Sequence, residues 1–365
     1  MSKMTRYVGW RIMLMIPTLF GIMLLNFALT QMAPGGPIEQ LIAEAAGSNN
    51  GIMSRVGDEG DVDTPSFGES QSFYRGADQL DPAFIAELEK EFGFDKPPAE
   101  RFINMMWRYL RFDFGESFFR GGDVISLTVE RLPVSITLGL WATLIAYWVS
   151  IPLGIAKAVR DGSPFDFWTS GVIFVGYAIP SFVIAILLIL IFSSGTFFDW
   201  FPLRGLVGEG WRDWPLHEQI GSYIWHTTLP VLAMVLGSFA FLTMLTKNSF
   251  LDQLSQHYVL TARAKGLTEK KVLYGHVFRN AMLIVIAGLP GTLIGILFTG
   301  VLMIEVIFSL DGLGLLAFEA ALARDYPIVF GALYLTTLLG LFLRLISDLV
   351  YTMVDPRIDF ESLHV

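Results

Sequence analysis

Cysteine is absent from the 365 residues, and charge is scarce, at 16% Asp, Glu, Lys and Arg against about 25% in soluble domains. Without thiols the chain has no disulfide, no thiolate nucleophile and no cysteine-ligated metal. Its five histidines (His217, His226, His257, His276 and His364) show no HExxH spacing, so no metal site is expected and the rings read as interfacial or surface groups. No Walker A sequence is present. Gly312-Leu-Gly314 lacks the third glycine of a dinucleotide loop. The chain therefore neither binds nor hydrolyses ATP by itself, and no nucleic-acid module is visible. Ten-residue segments of alternating polarity, the mark of a membrane barrel, are missing as well.

What the chain has is apolar length. It is 53% hydrophobic, with a mean hydropathy of +0.55. Six charge-poor runs are long enough to cross a bilayer, which takes about 20 residues. They fall near Trp10–Met32, Pro133–Lys157, Phe167–Ser193, Tyr223–Thr246, Ala281–Ile304 and Pro327–Tyr351. With no barrel pattern they must be helices, which satisfy their own backbone bonds in lipid. Lys3, Arg6 and Arg11 precede the first run, but that run is too long for a signal peptide and ends in Ala33-Pro34-Gly35-Gly36. It reads as an uncleaved anchor.

Basic residues orient the spans. Twelve Lys/Arg lie in residues 1–11, 157–166, 247–280 and 352–365, whereas the short loops 194–222 and 305–326 hold three. The first group, both termini included, should be cytoplasmic. The long segment 33–132 is then outside. It carries 18 acids and 9 bases, and the rest of the chain 16 of each, so the net charge of −9 resides in that segment. Such acidity suits a solvated loop or a docking surface for an outer partner. Residues 44–80, rich in Gly, Ser, Asp and Glu, read as flexible. Asp81 and Pro82 open a helix with Phe84, Ile85, Leu88 and Phe92 at helical spacing, closed by Gly93. A second amphipathic helix is expected over Pro98–Leu110, with Phe102, Met105, Met106, Tyr109 and Leu110 on one side, against the membrane surface or neighbouring spans. The domain plan is thus 1–32, 33–132 (helical over 81–111), a membrane core over 133–351, and a tail over 352–365.

Pro17, Pro152, Pro180, Pro230 and Pro290 lie in or at the edges of spans. Proline removes a donor and bends a helix, and the small residues beside several of these let helices pack closely. The reading is open between ordinary packing and bent helices that rearrange around a central path. Between the last two spans, Leu315–Leu322 is apolar but too short to cross, which suits a surface or re-entrant piece.

A polar stretch, His257–Ala281, lies between two spans. Six Lys/Arg fall between Lys247 and Arg279. It reads as a short helix, a turn at Gly266, and a second helix, an arrangement suited to docking a soluble partner.

From these residues the chain resembles the membrane subunit of an ABC importer, of the dipeptide/oligopeptide permease family. Gly266 in Thr261-Ala-Arg-Ala-Lys-Gly-Leu267 matches the glycine that ends the first helix of that family's cytoplasmic EAA loop, and His276-Val-Phe-Arg-Asn-Ala281 matches the return to the membrane. Arg131-Leu-Pro-Val-Ser-Ile-Thr137, Ile151-Pro-Leu-Gly154, Ile179-Pro-Ser181, Asp311-Gly-Leu-Gly314, Ala323-Arg-Asp-Tyr-Pro327, Asp355-Pro-Arg357 and Leu88-Glu-Lys-Glu-Phe-Gly-Phe-Asp-Lys-Pro97 also match, in order, over nearly the whole chain except residues 44–80. Within the family, Ala33-Pro-Gly-Gly-Pro37, Trp200-Phe-Pro-Leu-Arg-Gly-Leu206, Leu245-Thr-Lys-Asn-Ser-Phe-Leu-Asp252 and Asp355-Pro-Arg-Ile-Asp-Phe360 point to a subgroup that handles oligopeptides and peptide antibiotics of the microcin C kind. Two departures stand out. The Glu position of the EAA pattern is Leu260 here, and Arg344 lies inside the sixth span.

The resemblance implies six helices of the type I ABC importer permease fold, with a long periplasmic insertion between helices 1 and 2, in a bacterial inner membrane. It implies oligopeptide import by alternating access. The partners would be a second homologous permease, ABC ATPase subunits, a periplasmic peptide-binding protein and membrane lipids. The cofactors, ATP and Mg, would belong to the ATPase. Tyr258, Thr261, Ala262, Arg263, Ala264, Lys265, Gly266 and Leu267 would form the coupling element, with Tyr258, Ala262 and Leu267 as apolar contacts to the ATPase. Asn26, Gln31, Tyr177, Thr243, Thr292 and Thr299 are candidates to line the path. Arg344 and Asp348, four residues apart on one helix face, form either a self-contained ion pair or a contact to the partner permease or a peptide carboxylate. Another solute class within the family is the alternative. A secondary transporter is a weaker one, because the span centres lack the acids of an ion-coupling site.

Overall fold

The computed structural model describes residues 3–32, 36, 90, 94–295 and 301–354. They form α1 (Lys3–Met32), α2 (Pro98–Tyr109), α3 (Val124–Val159), α4 (Pro164–Ala178), α5 (Ser181–Phe192), α6 (Leu216–Leu254), α7 (His257–Ala264), α8 (Glu269–Val272), α9 (Phe278–Gly295), α10 (Val301–Phe308), α11 (Leu313–Ala323) and α12 (Tyr326–Val354). A π-helical turn, Leu273–Val277, joins α8 to α9. Among the described residues extended structure is limited to one isolated bridge, Glu116 to Asp123. The excursion expected over 44–80 and, Lys90 apart, the helix expected over 81–92 lie outside the described residues.

Among the described residues, five stretches are long and apolar enough to cross a membrane: Arg6–Met32, Val124–Val159, Leu216–Leu254, Glu269–Thr292 and Tyr326–Val350. The pairs α4–α5 and α10–α11, bent by 96° and 83°, bring the number to as many as seven. The all-α polytopic class read from the hydropathy pattern therefore holds.

Of the five prolines in or at the edges of the expected spans, Pro180 stands at a helix break. Pro17, Pro152, Pro230 and Pro290 sit inside continuous helices. At Pro180 the preceding Ile179 is extended (φ −92°, ψ 121°). A residue before proline is pushed into that region, so α4 cannot run on into α5.

The chain divides into two compact units. The larger comprises Met1–Met15, Thr128–Phe318 and Thr336–Val365. It has two apolar cores. One joins Leu138 and Ala142 of α3, Ile184 and Ala185 of α5, Val231, Ala233, Met234 and Val235 of α6, and Ile304 and Phe308 of α10. The other joins Ile155 and Ala158 of α3, Phe250 of α6, Val259 and Ala262 of α7, Val272, Val277, and Ala281 and Val285 of α9. The second core is the floor on which the polar stretch rests. α3 and α6 pass very close beside it: a Cβ on Gly154 would lie 2.6 Å from Thr246 Cβ and 2.8 Å from the Thr243 carbonyl oxygen.

The smaller unit comprises Ile16–Leu127 and Glu319–Leu335. Here α2 buries Phe102 and Tyr109. Phe102 packs edge-on to Phe20 and against Phe27 of α1, at 5.4 and 5.3 Å between ring centres. The α2 face thus meets a neighbouring span. Leu110, expected on that face, is 58% exposed, because the helix ends at Tyr109 and Leu110 is its C-cap. Arg108 donates two bonds to Asp113. That guanidinium holds the Asp113 carboxyl below the usual carboxylate range.

Candidate functional site

α7 is an eight-residue helix outside the long apolar stretches. Its sequence repeats apolar residues at Val259 and Ala262, three apart and so on one face. Both are buried in the second core. The helix stops at a Schellman turn. The Gly266 N–H donates to Arg263 O at 2.9 Å, and Leu267 N–H donates to Ala262 O at 3.3 Å. Gly266 takes φ +80°, the left-handed conformation that this turn requires and that costs a residue with a Cβ about 1–2 kcal/mol. Nothing lies within 4 Å of where that Cβ would be, so the requirement is conformational rather than steric. Half-buried Leu267 rests against the core as the hydrophobic partner of this motif.

This geometry changes the reading of the docking face. Ala262 is buried, and Tyr258 and Leu267 are half-buried. Tyr258 donates to Gln253 at 2.9 Å. All three fasten α7 to its own chain instead of offering it outward. The exposed face is His257, Leu260, Thr261, Arg263, Ala264 and Lys265. Leu260, 57% exposed, is its large apolar group, at the position where the family pattern has Glu. Arg263 makes a two-pronged bond to Glu269 at 2.9 and 3.0 Å, which braces α7 against α8 and fixes the angle of the face.

In the larger unit, α3, α4–α5, α6 and α9 line an open cavity of about 760 Å³. Tyr177 and Thr292, two of the six expected path residues, line it beside Tyr147, Ser181 and Ser238. Tyr147 Oη lies 3.3 Å from Thr292 Oγ1. No charged side chain is among the lining residues. Thr243 is fully buried, with its hydroxyl on Phe239 O at 2.8 Å; it serves the α3–α6 contact. Asn26 bonds its own helix at Ile22 O, and Gln31 accepts from Arg101 at 2.8 Å in the smaller unit. Thr299 lies outside the described residues.

The expected pair of Arg344 with Asp348 is not formed. Asp348 instead accepts from Tyr7 Oη at 3.1 Å and meets Arg11 of α1 at 3.0 Å. The Arg344 side chain is exposed. Helical spacing placed Asp348 near Arg344, but α1 supplies a cation at its own end of the bundle.

Sequence reading missed Glu305. It is fully buried where α10 turns into α11. Its carboxylate accepts from the N–H groups of Gly314 (2.7 Å) and Leu315 (3.0 Å) and from the Ser135 hydroxyl (2.5 Å). Ser135 in turn accepts from Leu313 N–H at 2.9 Å. The acid caps the first turn of α11 across an 83° bend. Gly312 and Gly314 leave it room: a Cβ at 312 would strike the carboxylate, and one at 314 would lie 2.5 Å from Leu302 Cα. Arg131 pairs with Asp311 beside it. The signal available was an isolated acid followed at fixed distance by Gly-Leu-Gly.

Together, the apolar helices, the uncharged cavity and a braced helix with an exposed face define a polytopic membrane protein. The family described as "Binding-protein-dependent transport system inner membrane component" matches residues 150–360, which contain α7 and the cavity's lining residues apart from Ala146 and Tyr147. The chain is 57% identical over 360 residues to the "Peptidoglycan transport system permease protein YejB" of Agrobacterium fabrum, covering 98% of this chain and 99% of that one. It is 56% identical over 363 residues to the "Inner membrane ABC transporter permease protein YejB" of Escherichia coli O157:H7, covering 98% and 100%. The "Oligopeptide transport system permease protein AppB" of Bacillus subtilis is 31% identical over 358 residues, covering 98% and 100%. The chain belongs to this family: it is an inner-membrane permease subunit of an ABC importer of the peptide-transport group, with the type I permease fold. Such permeases are not enzymes; ATP hydrolysis lies in partner ATPase subunits, and a substrate-binding protein is the other partner the family implies.

Proposed function

We propose that this permease imports oligopeptides, peptide antibiotics of the microcin C kind among them, by alternating access. α7 is the coupling helix. It presents Leu260, flanked by Thr261, Ala264 and the cations Arg263 and Lys265, to a groove of the ATPase. ATP and Mg act only there. A second homologous permease completes the path, lipids surround the exposed apolar faces, and both termini and α7 are cytoplasmic. The observation that carries this reading is α7 itself, held to the core by Val259 and Ala262 and closed by Gly266, with its other face open to solvent. The cavity supports a peptide cargo. Hydroxyls of Tyr177, Ser181 and Thr292 on an apolar wall suit backbone amides, which every peptide shares, and no lining charge selects a side chain. The names of two relatives, one for oligopeptide and one for peptidoglycan transport, favour a second reading in which the cargo is a peptide-bearing peptidoglycan fragment. ATP-driven uptake of labelled tripeptides, pentapeptides and muropeptides by vesicles holding the full complex tests both. Uptake of the plain peptides supports the first reading, and uptake of muropeptides alone supports the second. Uptake of neither would refute the peptide assignment.

A further inference from the structure

Three helices of the larger unit are knotted by charge at the end of the bundle that carries α7. Lys157, near the end of α3, is fully buried. Its three ammonium protons go to the Asp166 carbonyl (2.9 Å), Thr169 Oγ1 (2.9 Å) and Ser170 Oγ (2.7 Å), and the ammonium lies 2.8 Å from Asp166 Oδ1. Asp166 stands in the first turn of α4. Its other oxygen, Oδ2, accepts from Lys247 of α6 at 2.7 Å. Lys247, 8% exposed, also meets Asp161 in the α3–α4 turn at 2.8 Å. Two bases and two acids cancel, and Asp166 touches both bases.

We propose that the Lys247–Asp166 bond is the joint through which movement of α7 reaches the cavity, with Lys247 and Asp166 as positioning residues for coupling. This rests on the reading of α7 as the coupling helix. α6 runs unbroken to Leu254 and reaches α7 through Ser255 and Gln256 alone, so a push on α7 is delivered to the end of α6. Lys247 lies seven residues before that end, about 10 Å along the axis. Across the bond, α4 is a 15-residue rod from Pro164 to Ala178. It ends at the 96° elbow with α5, where Ile179, Pro180 and Ser181 line the cavity. Apolar contact is non-directional and lets helices slide. A buried ion pair fixes register, because drawing it apart strands two charges in a poor solvent for them. Lys157 extends the grip to α3, beside the Gly154–Thr246 contact that already holds α3 to α6. The cytoplasmic ends of α3, α4 and α6 therefore move as one body, and the elbow is the place where that motion opens or closes the cavity wall.

The test uses the assembled importer in vesicles with its binding protein, and reads stimulated over basal ATP turnover per assembled complex. Lys247→Met removes the bond and keeps the volume of the stem. ATPase should still co-purify, because the α7 face is untouched, while stimulation should fall about fivefold or more, the lower range of site-to-site coupling. Lys247→Arg, which keeps the charge, should restore most of it. If the complexes that form with Lys247→Met are stimulated like wild type, the bond is structural only and the proposal fails. If no complex forms with Lys247→Met, the double variant Lys247→Met/Asp166→Asn decides. It removes both charges of the bond, so neither is left stranded: reduced stimulation supports the proposal, and unchanged stimulation overturns it. Failure of wild-type ATPase to co-purify would instead count against the docking reading of α7, so the two failures are distinguishable.

Discussion

Glu305→Ala should release α11 from the end of α10. The carboxylate serves three buried donors, the N–H groups of Gly314 and Leu315 and the Ser135 hydroxyl. Leaving a buried donor without a partner costs about 1–3 kcal/mol. Three donors would cost about 3–9 kcal/mol if they added, but the alanine also removes the desolvation penalty of a buried acid and leaves space that water can enter. The net loss should fall near the lower end, about 3–5 kcal/mol. Glu305→Gln separates bonds from charge. Its carbonyl oxygen still accepts both N–H groups, and Ser135 can accept from the amide while its second lone pair keeps Leu313. Only the Ser135 proton then loses its acceptor, so that variant should lose about 1–2 kcal/mol. Thermal unfolding of the purified complex in detergent, with limited proteolysis near residues 309–325, measures both. Glu305→Ala as stable as wild type would refute the capping role. So would Glu305→Gln as damaging as Glu305→Ala, which would show that charge rather than hydrogen bonding holds the bend.

Gly314→Ala should destabilise comparably, since its Cβ would meet backbone 2.5 Å away at Leu302 Cα and neither side can yield cheaply; co-purification yield reports it, and normal yield contradicts the packing. Arg11→Ala should cost no more than about 1 kcal/mol, as its pair with Asp348 is 44% and 30% exposed, and Arg344→Ala should leave Asp348 undisturbed; a larger loss of complex from Arg344→Ala than from Arg11→Ala would reverse that assignment. Single cysteines at Asp213 and Lys270, both exposed in a chain with none of its own, should be labelled by an impermeant reagent from outside at 213 only; labelling at 270 in intact cells would invert the topology.

The apolar spans were legible because membrane crossing requires length, and length shows in a single sequence. α2 was legible to within one residue, since Phe102 and Tyr109 follow helical spacing from a proline start. Gly266 was legible because a left-handed C-cap leaves few alternatives. What was not legible depends on partners far along the chain. Asp348 looked paired with Arg344 because spacing reports neighbours on one helix, and Arg11 is 337 positions away. Ala262 looked outward because an eight-residue helix is too short for its buried face to be read without knowing that Val272 and Val277 lie beneath it. Lys157 and Lys247 count among the loop bases that orient the spans, and nothing local says that their side chains turn inward to Asp166. The prolines left packing and bending open; Pro180 breaks its helix, and the other four sit inside continuous ones.

Binding-protein-stimulated ATP turnover in vesicles, compared between wild type and Leu260→Asp, tests the coupling role of α7 most directly. Leu260 is exposed and outside both apolar cores, so the permease should insert and fold as before. An acid in place of the apolar knob should weaken ATPase docking, and the account predicts loss of stimulated turnover and of peptide uptake together. Stimulated turnover and uptake at wild-type levels, with ATPase still bound, would contradict it.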